Sequence, residues 1–498
     1  MSKYEVILTT DRTMMSNHHG KEFIGFMTTA PPIYLPERLW LWLSAPKVKV
    51  DEDGRPQEAP YGLRKVEAKL IEAGFKAAVI DPDHIHKHVN SMKVVMVGHH
   101  DYFGLGPPSS EWWMLLNREP VNRRSFIRFM EQLADYARLS NAKIIVGGPA
   151  AWQWLYEPSL WKRWGVTTVI DGEVERTIVD IVDMALCGED LPDYIYVGPN
   201  DSPNIDEIPI IKGASVNGLV EIMRGCPRRC KFCSVTLRPL RMIPLDKILQ
   251  EVMVNMKFGV KNVILHSEDI LLYCGDGVIP KPEPIIKLHK SIMRLVSGTI
   301  AWSHASLSSI KYAEDNYNLI SKIMNEIVLP KGIQDFIGVE VGIETGSPRL
   351  AMKIMPQKSA PYPVEMWPEV VEDAFRIMHE NKIIPAATLI IGLPGETIDD
   401  VIKTIELIDK LRKYRSLIVA MFFVPMGVLK RREYFLKDYL KQEHLDLMYA
   451  CLEHSLYWAK DIMNKFYIKE KRLAIIRAIL NFIIRYTDLK MRKIRKLS

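Results

Sequence analysis

Short runs rich in Val and Ile alternate with longer amphipathic stretches along most of the chain. In the first 190 residues the runs fall at 5–9, 77–80, 94–97, 143–146 and 167–170. They are almost wholly apolar, as strands covered on both faces of a parallel sheet must be. Between them, 62–73, 123–139 and 174–186 repeat apolar residues at helical spacing. This alternation predicts an open, doubly wound (Rossmann- or flavodoxin-like) α/β domain over 1–190. Residues 191–214 carry Pro192, Pro199, Pro203 and Pro209 with little periodicity, and read as a linker. From 215 the alternation resumes, with strands at 219–223, 262–266, 299–303, 336–343, 384–391 and 417–424. Helices are predicted between them at 246–256, 284–295, 316–327, 364–380 and 398–411. Six such units fall short of a complete eight-fold barrel and predict a partial (β/α)6 barrel over 215–430. Residues 431–498 read as a helical extension.

Composition narrows the class. The chain is 48% hydrophobic and 25% charged, which excludes a disordered, collagenous or coiled-coil protein. No long uncharged apolar run is present, so no spanning helix is expected, and the opening residues read as a strand, not a signal peptide. Six cysteines in 498 residues make no disulfide framework, and a reducing cytoplasm is the expected location.

Charge is unevenly placed. The net charge is +6, but residues 469–498 alone carry ten Lys and Arg against Glu470 and Asp488, a net +8 that leaves −2 for the rest. A near-neutral body argues against a nucleic-acid partner. Within the tail, Arg477, Asn481 and Arg485 recur every fourth residue as a narrow polar stripe on an otherwise apolar helix. Lys490, Arg492, Lys493, Arg495 and Lys496 follow. Such a tail either packs on its own barrel or rests peripherally on an anionic membrane.

The chemistry centres on Cys226-Pro-Arg-Arg-Cys230-Lys-Phe-Cys233, in the loop after the first barrel strand. Three thiolates this close hold an iron–sulfur cluster or a zinc ion. Structural zinc usually takes four protein ligands, and Cys187, Cys274 and Cys451 are isolated. Three thiolates on a 4Fe–4S cluster leave one iron open to a further ligand. Arg228, Arg229 and Lys231 would offset the cluster's negative charge.

This Cys-x-x-x-Cys-x-aromatic-Cys pattern on a partial β/α barrel resembles the radical S-adenosylmethionine (SAM) enzymes, in the class that carries a cobalamin-binding domain before the barrel. The resemblance implies that Cys226, Cys230 and Cys233 hold a 4Fe–4S cluster whose open iron binds SAM. Reductive cleavage then yields a 5′-deoxyadenosyl radical. Val341-Gly-Ile-Glu344-Thr-Gly-Ser-Pro resembles the family's fourth-strand motif, so Glu344 is expected on the SAM ribose. Ile390-Ile-Gly392-Leu-Pro-Gly395-Glu-Thr resembles the fifth-strand segment, which implies Gly392 beside the adenine. After the second strand, His266-Ser-Glu268-Asp269 stands where the family binds the methionine amine, through Glu268 or Asp269.

In the N-terminal domain, Gly98, the Gly147-Gly148-Pro149 turn and Gly172 stand where the class surrounds cobalamin. No Asp-x-His-x-x-Gly occurs, so a histidine of that motif is not the lower cobalt ligand. His84, His86 and His88 read as loop histidines. Asp11, His18 and His19 follow the first strand at the sheet's ligand edge, where they face either a ligand or the barrel. No cysteine precedes Cys187, which removes methylthio-transferring relatives that carry a second, N-terminal cluster. The resemblance implies cobalamin-dependent methylation of an unactivated carbon on a small-molecule or lipid substrate, with ferredoxin or flavodoxin as reductant. Two alternatives remain: cobalamin-free radical ring formation or rearrangement on a lipid-like substrate, and a metal-stabilised RNA-binding protein holding zinc.

Overall fold

The computed structural model describes residues 4–495. The chain divides into two compact units, Met1–Val220 with Asp246–Asn262, and Glu221–Leu245 with Val263–Ser498.

The first unit is built on six parallel strands: β1 (Val6–Thr9), β2 (Ala77–Val79), β3 (Val94–Gly98), β4 (Lys143–Gly147), β5 (Val166–Asp171) and β6 (Tyr194–Tyr196). Their order is β2-β1-β3-β4-β5-β6. The two-residue period of each strand splits the core. Ile7, Val95, Val97, Ile144 and Val146 face an aromatic layer that includes Tyr102, Phe103, Phe126 and Trp154. Val6, Leu8, Val94, Met96 and Ile145 face an aliphatic layer that includes Leu63, Leu70, Ile178 and Val182. The chain order reverses between β1 and β3, which marks that strand-end crevice as the ligand edge of an open sheet.

The stretch expected to be a linker, 191–214, is instead part of this unit. It adds β6 to the sheet and buries Ile208, Ile211 and Ala214. Its prolines bracket a three-residue strand too short to show a period. Helix α2 (Leu245–Lys257), nominally the barrel's first, also belongs here. Its buried Glu251 accepts from Lys65 Nζ at 2.6 Å and from the Tyr61 hydroxyl at 2.7 Å, both on helix α1 (Tyr61–Glu72). The Ile211 amide adds a third bond to the same carboxylate.

The barrel strands are β7 (Leu219–Glu221), β8 (Val263–His266), β9 (Ile300–Trp302), β10 (Ile337–Glu344), β11 (Ile383–Ile391) and β12 (Leu417–Phe422). They pair in the orders β9-β8-β7 and β10-β11-β12, and a bridge between His304 and Glu340 joins the two triplets. The result is the six-stranded partial barrel the alternation predicts. On β10, Val339, Val341 and Ile343 are buried, while Gly338, Glu340 and Gly342 lie on the more open face. The predicted helix 316–327 is interrupted: Asn318 takes a left-handed conformation between Leu307–Tyr317 and Leu319–Lys322.

Helix α3 (Pro348–Ile354) follows the fourth barrel strand, and α4 (Gln442–Ile462) and α5 (Ala474–Arg495) form the C-terminal extension. Among the described residues no helix is long and apolar enough to cross a membrane.

Candidate functional site

The cysteine loop hangs from an antiparallel pair, Met223–Arg224 with Arg241–Met242. Gly225 has φ +81°, and a Cβ there would meet the Pro239 carbonyl oxygen at 2.6 Å, so only glycine admits this crossing. The Lys231 amide donates to the Ile354 carbonyl at 2.9 Å, and the Val428 amide donates to the Lys231 carbonyl at 3.0 Å. Thr236 Oγ1 donates to the Cys233 carbonyl at 2.9 Å. Phe232 packs against Leu350, Ile354 and Phe423. The aromatic residue beside the third cysteine is thus an apolar anchor for the loop.

Burial pushes the Cys226 thiol up to about 12 and the Cys233 thiol up to about 11, and raises Cys230 as well. The field of Cys230 adds to the rise at both neighbours, so the three thiols share one electrostatic environment. Metal binding at such thiols displaces protons, which makes loading steeply pH-dependent. Among the described residues no three His, Cys, Asp or Glu side chains gather as ligands around a single ion. Three thiolates at this spacing are a donor set that fits a cubane, with one thiolate on each of three irons.

Beside the thiols stands a carboxylate–ammonium pair that the motifs only half revealed. Glu344 is buried, with φ +63° at the irregular end of β10. That left-handed conformation is unusual for a non-glycine residue and fixes the direction of its side chain. Its carboxylate accepts from Lys358 Nζ at 2.6 Å. A Cβ on Gly342 would lie 1.9 Å from the Glu344 carboxylate and 2.5 Å from Lys358 Nζ, so the glycine makes room for the pair. Burial alone would lower Lys358, but the fields of Glu344, Cys230 and Cys226 outweigh it and hold the ammonium protonated. Lys358 sits in an irregular, proline-flanked stretch, where no period or motif singled it out.

The cations expected to neutralise the cluster are placed differently. The Arg228 guanidinium bonds Asp269 at 3.3 Å, Ser309 Oγ at 2.6 Å and the carbonyls of Lys358 and Ala360 at 3.0 and 2.9 Å. Its field still lowers Cys226 and Cys230. Lys231 Nζ caps the Lys353 carbonyl at 2.6 Å, and Arg229 is exposed. Of the two acidic candidates after the second strand, Asp269 is fully buried against Arg228 and Ser309. Glu268 stays partly open, and its field reaches Cys233. Gly392 has φ +81°, and its bare Cα seats the ring of Phe435, 2.1 Å from where a Cβ would lie.

Motif reading also missed a second layer of polar groups on the barrel's strands. Glu340, one inward step before Gly342, pairs with His304 at 3.1 Å. The His266 ring lies 6.2 Å from that of His304, and Glu221 holds Arg224 through two 2.8 Å bonds. The Nδ1 atoms of His266 and His304 are buried without a hydrogen-bond partner. Burial lowers His266, whereas at His304 Glu340 overcomes the burial cost and raises the imidazolium to about 9. A raised histidine stabilises the fold fully below its ordinary value near 6.5 and ceases to as pH rises through about 9. We expect Glu340→Gln to drop His304 below 6.5, read by histidine NMR titration. The stability deficit of the variant should be present at about pH 6 and vanish at about pH 10. An unmoved His304 resonance would refute the pairing.

In the first unit, the four glycines singled out at the sheet's ligand edge all touch protein atoms. A Cβ would meet Leu63 at Gly98, the Ile170 carbonyl at Gly147 and the His99 backbone at Gly148, and would collide with Val197 at Gly172. At the β1–β3 crevice, buried Asp11 accepts from His99 Nε2 at 2.9 Å, and His99 Nδ1 accepts from the Asp101 amide at 2.8 Å. Both ring nitrogens are engaged, so His99 is no cobalt ligand. His84 is held by Asp81 and the buried His88 by the Asp53 carbonyl, so these are turn-fixing residues of a 3₁₀ segment. His18 and His19 bond the carbonyls of Ser44 and Trp42. Thr10 Oγ1, at the same crevice, is buried and unpartnered. At this edge, then, His18, His19, His84, His88 and His99 bond protein groups, the four glycines pack on protein atoms, and Thr10 carries an orphaned hydroxyl.

Comparison with known proteins follows the same division. Residues 220–408 match the family model of the radical SAM superfamily. A tRNA-2-methylthio-N(6)-dimethylallyladenosine synthase of Thermosipho melanesiensis is 24% identical over 383 residues, 71% of this chain and 82% of that protein. A synthase of the same name from Nitrosomonas eutropha is 27% identical over 213 residues, 42% of this chain and 44% of its own. Among solved structures, the radical SAM methyltransferase TsrM of Kitasatospora setae, with tryptophan substrate and a SAM analog bound, superposes with a TM-score of 0.52 at 15% identity. It covers 84% of this chain and 73% of that one. A second TsrM structure, with cobalamin and a 4Fe–4S cluster bound, matches equally at 13% identity. These likenesses show the fold: a doubly wound domain, a radical SAM partial barrel and a helical C-terminus.

Proposed function

We propose that this chain, a radical SAM enzyme by its barrel domain, cleaves SAM at a 4Fe–4S cluster on Cys226, Cys230 and Cys233 and methylates an unactivated carbon with the help of cobalamin. The observation that carries the reading is the Glu344–Lys358 pair set in the field of Cys226 and Cys230. A SAM molecule presents a carboxylate, an ammonium and a ribose diol within one small volume. Lys358 meets the carboxylate, Glu268 beside Cys233 meets the ammonium, and Glu344 accepts from the ribose hydroxyls. Arg228 does not touch the ligand; it fixes the segment that carries Lys358. A 4Fe–4S cluster held by Cys226, Cys230 and Cys233 would supply the electron, taken from a ferredoxin or flavodoxin, for cleavage of the SAM carbon–sulfur bond. The 5′-deoxyadenosyl radical would take the substrate's hydrogen as 5′-deoxyadenosine, and cobalamin at the ligand edge of the first sheet would supply the methyl group, which a second SAM would replenish. His266, His304 and Glu340 orient the substrate's polar group.

Radical ring formation or rearrangement without cobalamin is the second reading. The packing of Gly98, Gly147, Gly148 and Gly172 on protein atoms favours it, because the fold alone requires glycine there. Methylthio transfer, the activity in the names of the curated relatives, is not proposed: the first unit contains one cysteine, the exposed Cys187.

The test uses anaerobically reconstituted protein supplied with hydroxocobalamin. Iron, zinc and cobalt are counted, and 5′-deoxyadenosine is measured under dithionite. Iron, cobalt and 5′-deoxyadenosine together are expected. Iron and 5′-deoxyadenosine without cobalt would leave ring formation or rearrangement. Stoichiometric zinc without 5′-deoxyadenosine would sink both. Lys358→Met should weaken SAM binding by about tenfold or more while leaving iron content unchanged.

A further inference from the structure

Helix α5 turns part of its polar stripe toward the protein and leaves part of its apolar surface outward. Two of its three stripe residues turn toward the protein: Arg477 Nη1 donates to the Ile468 carbonyl at 3.0 Å, and Asn481 exchanges two hydrogen bonds with Asn464 at 3.1 and 3.0 Å. Only part of its apolar surface is covered, chiefly at Leu473, just ahead of it, and Ile476. Ile475, Phe482 and Leu489, seven residues apart along one line, are 68%, 55% and 66% exposed. A helix that pairs its amide with the protein and leaves three large apolar side chains in water lacks its final apolar phase.

We propose that this outward stripe lies in the plane of an anionic lipid surface and holds the enzyme there peripherally. Charge selects the occupant. Residues 469–498 carry a net +8. A second copy would bring an equal positive charge against the first, whereas acidic headgroups complement it. Arg485 lies on the exposed side between Phe482 and Leu489, and Lys490 lies over the ring of Tyr486 at 5.5 Å, where long basic side chains reach headgroups while the apolar stripe sinks. The aliphatic content of the stripe, two of its three large residues, offers little for bases to stack on, which sets lipid ahead of RNA. The helix cannot span, so it rests in the interface. This inference stands whether or not cobalamin is bound.

The experiment is co-sedimentation of the full-length protein with phosphatidylglycerol/phosphatidylcholine vesicles and with phosphatidylcholine alone. Binding to the anionic vesicles, weakened by salt and reduced about tenfold or more in Ile475→Glu/Phe482→Glu, is expected. Because a variant can misfold, hydrogen exchange of the unaltered chain is followed too. Vesicles should protect residues 474–490 selectively. Absence of binding to anionic vesicles overturns the proposal, as does binding without that protection. A dimer by light scattering that the two substitutions dissolve would assign the stripe to a second copy instead. Binding of tRNA lost in the same variant, with no vesicle binding, would assign it to RNA.

Discussion

Cys230→Ser should abolish 5′-deoxyadenosine formation, by on the order of 100-fold or more, and remove the cluster's visible absorbance, while the apo-protein stays folded. Cys230 is the most buried of the three thiols, and its field reaches both partners. Serine nearly preserves the volume, so packing changes little. Its hydroxyl, however, ionises far above the thiol and gives iron a poor ligand. Apo-state stability within about 1 kcal/mol of the parent would separate loss of chemistry from loss of fold. Cys187→Ser and Cys274→Ser serve as controls, since both thiols are exposed and far from the loop in sequence. Iron retained in Cys230→Ser with unchanged SAM cleavage would remove Cys230 from the cluster and with it the proposed function.

The legibility of this molecule in its sequence follows physical scale. Strands buried on both faces have no choice but to be apolar, so nearly all the predicted strands lie within a few residues of the observed ones. Cysteines clustered at short spacing have few structural uses, so the loop was visible. What escaped were features set by tertiary contact. The three-residue β6 lies among prolines and shows no period. Lys358 reaches Glu344 from an irregular segment fourteen residues away, and no pattern in the sequence encodes that approach. The His304–Glu340 pair requires two strands from different β/α units to meet at one bridge. Helix α5 shows the converse: its amphipathic pattern is plain in the sequence, but such a pattern does not say which face meets the protein, and a polar face goes to water only when the neighbour offers no partner. Asn464 and the Ile468 carbonyl offered one.

Arg228→Met should destabilise the barrel unit by about 3–5 kcal/mol at neutral pH, because it strands a fully buried carboxylate. Asp269 and Arg228 are 1% and 3% exposed, so solvent cannot take over either role. Burial already raises Asp269 above the ordinary carboxyl value even with the guanidinium beside it. An acid raised in the folded state binds more protons folded than unfolded between its two values, so its contribution to stability falls as pH rises through that interval. Removing Arg228 raises it further. The deficit of Arg228→Met should therefore be largest at neutral pH and shrink as acid protonates Asp269, which denaturant titrations across pH will read. A remainder should persist in acid, since the carbonyls of Lys358 and Ala360 and the Ser309 hydroxyl also lose their donor. Asp269→Asn in the same chain should recover part of the loss by removing the stranded charge. The functional consequence travels along the backbone: with the Lys358 carbonyl released, the ammonium no longer holds its place against Glu344, and SAM affinity falls with iron content intact. A deficit under about 1 kcal/mol, or one that does not change with pH, would show that Arg228 acts on the thiols through its field and not as the clamp of residues 357–360.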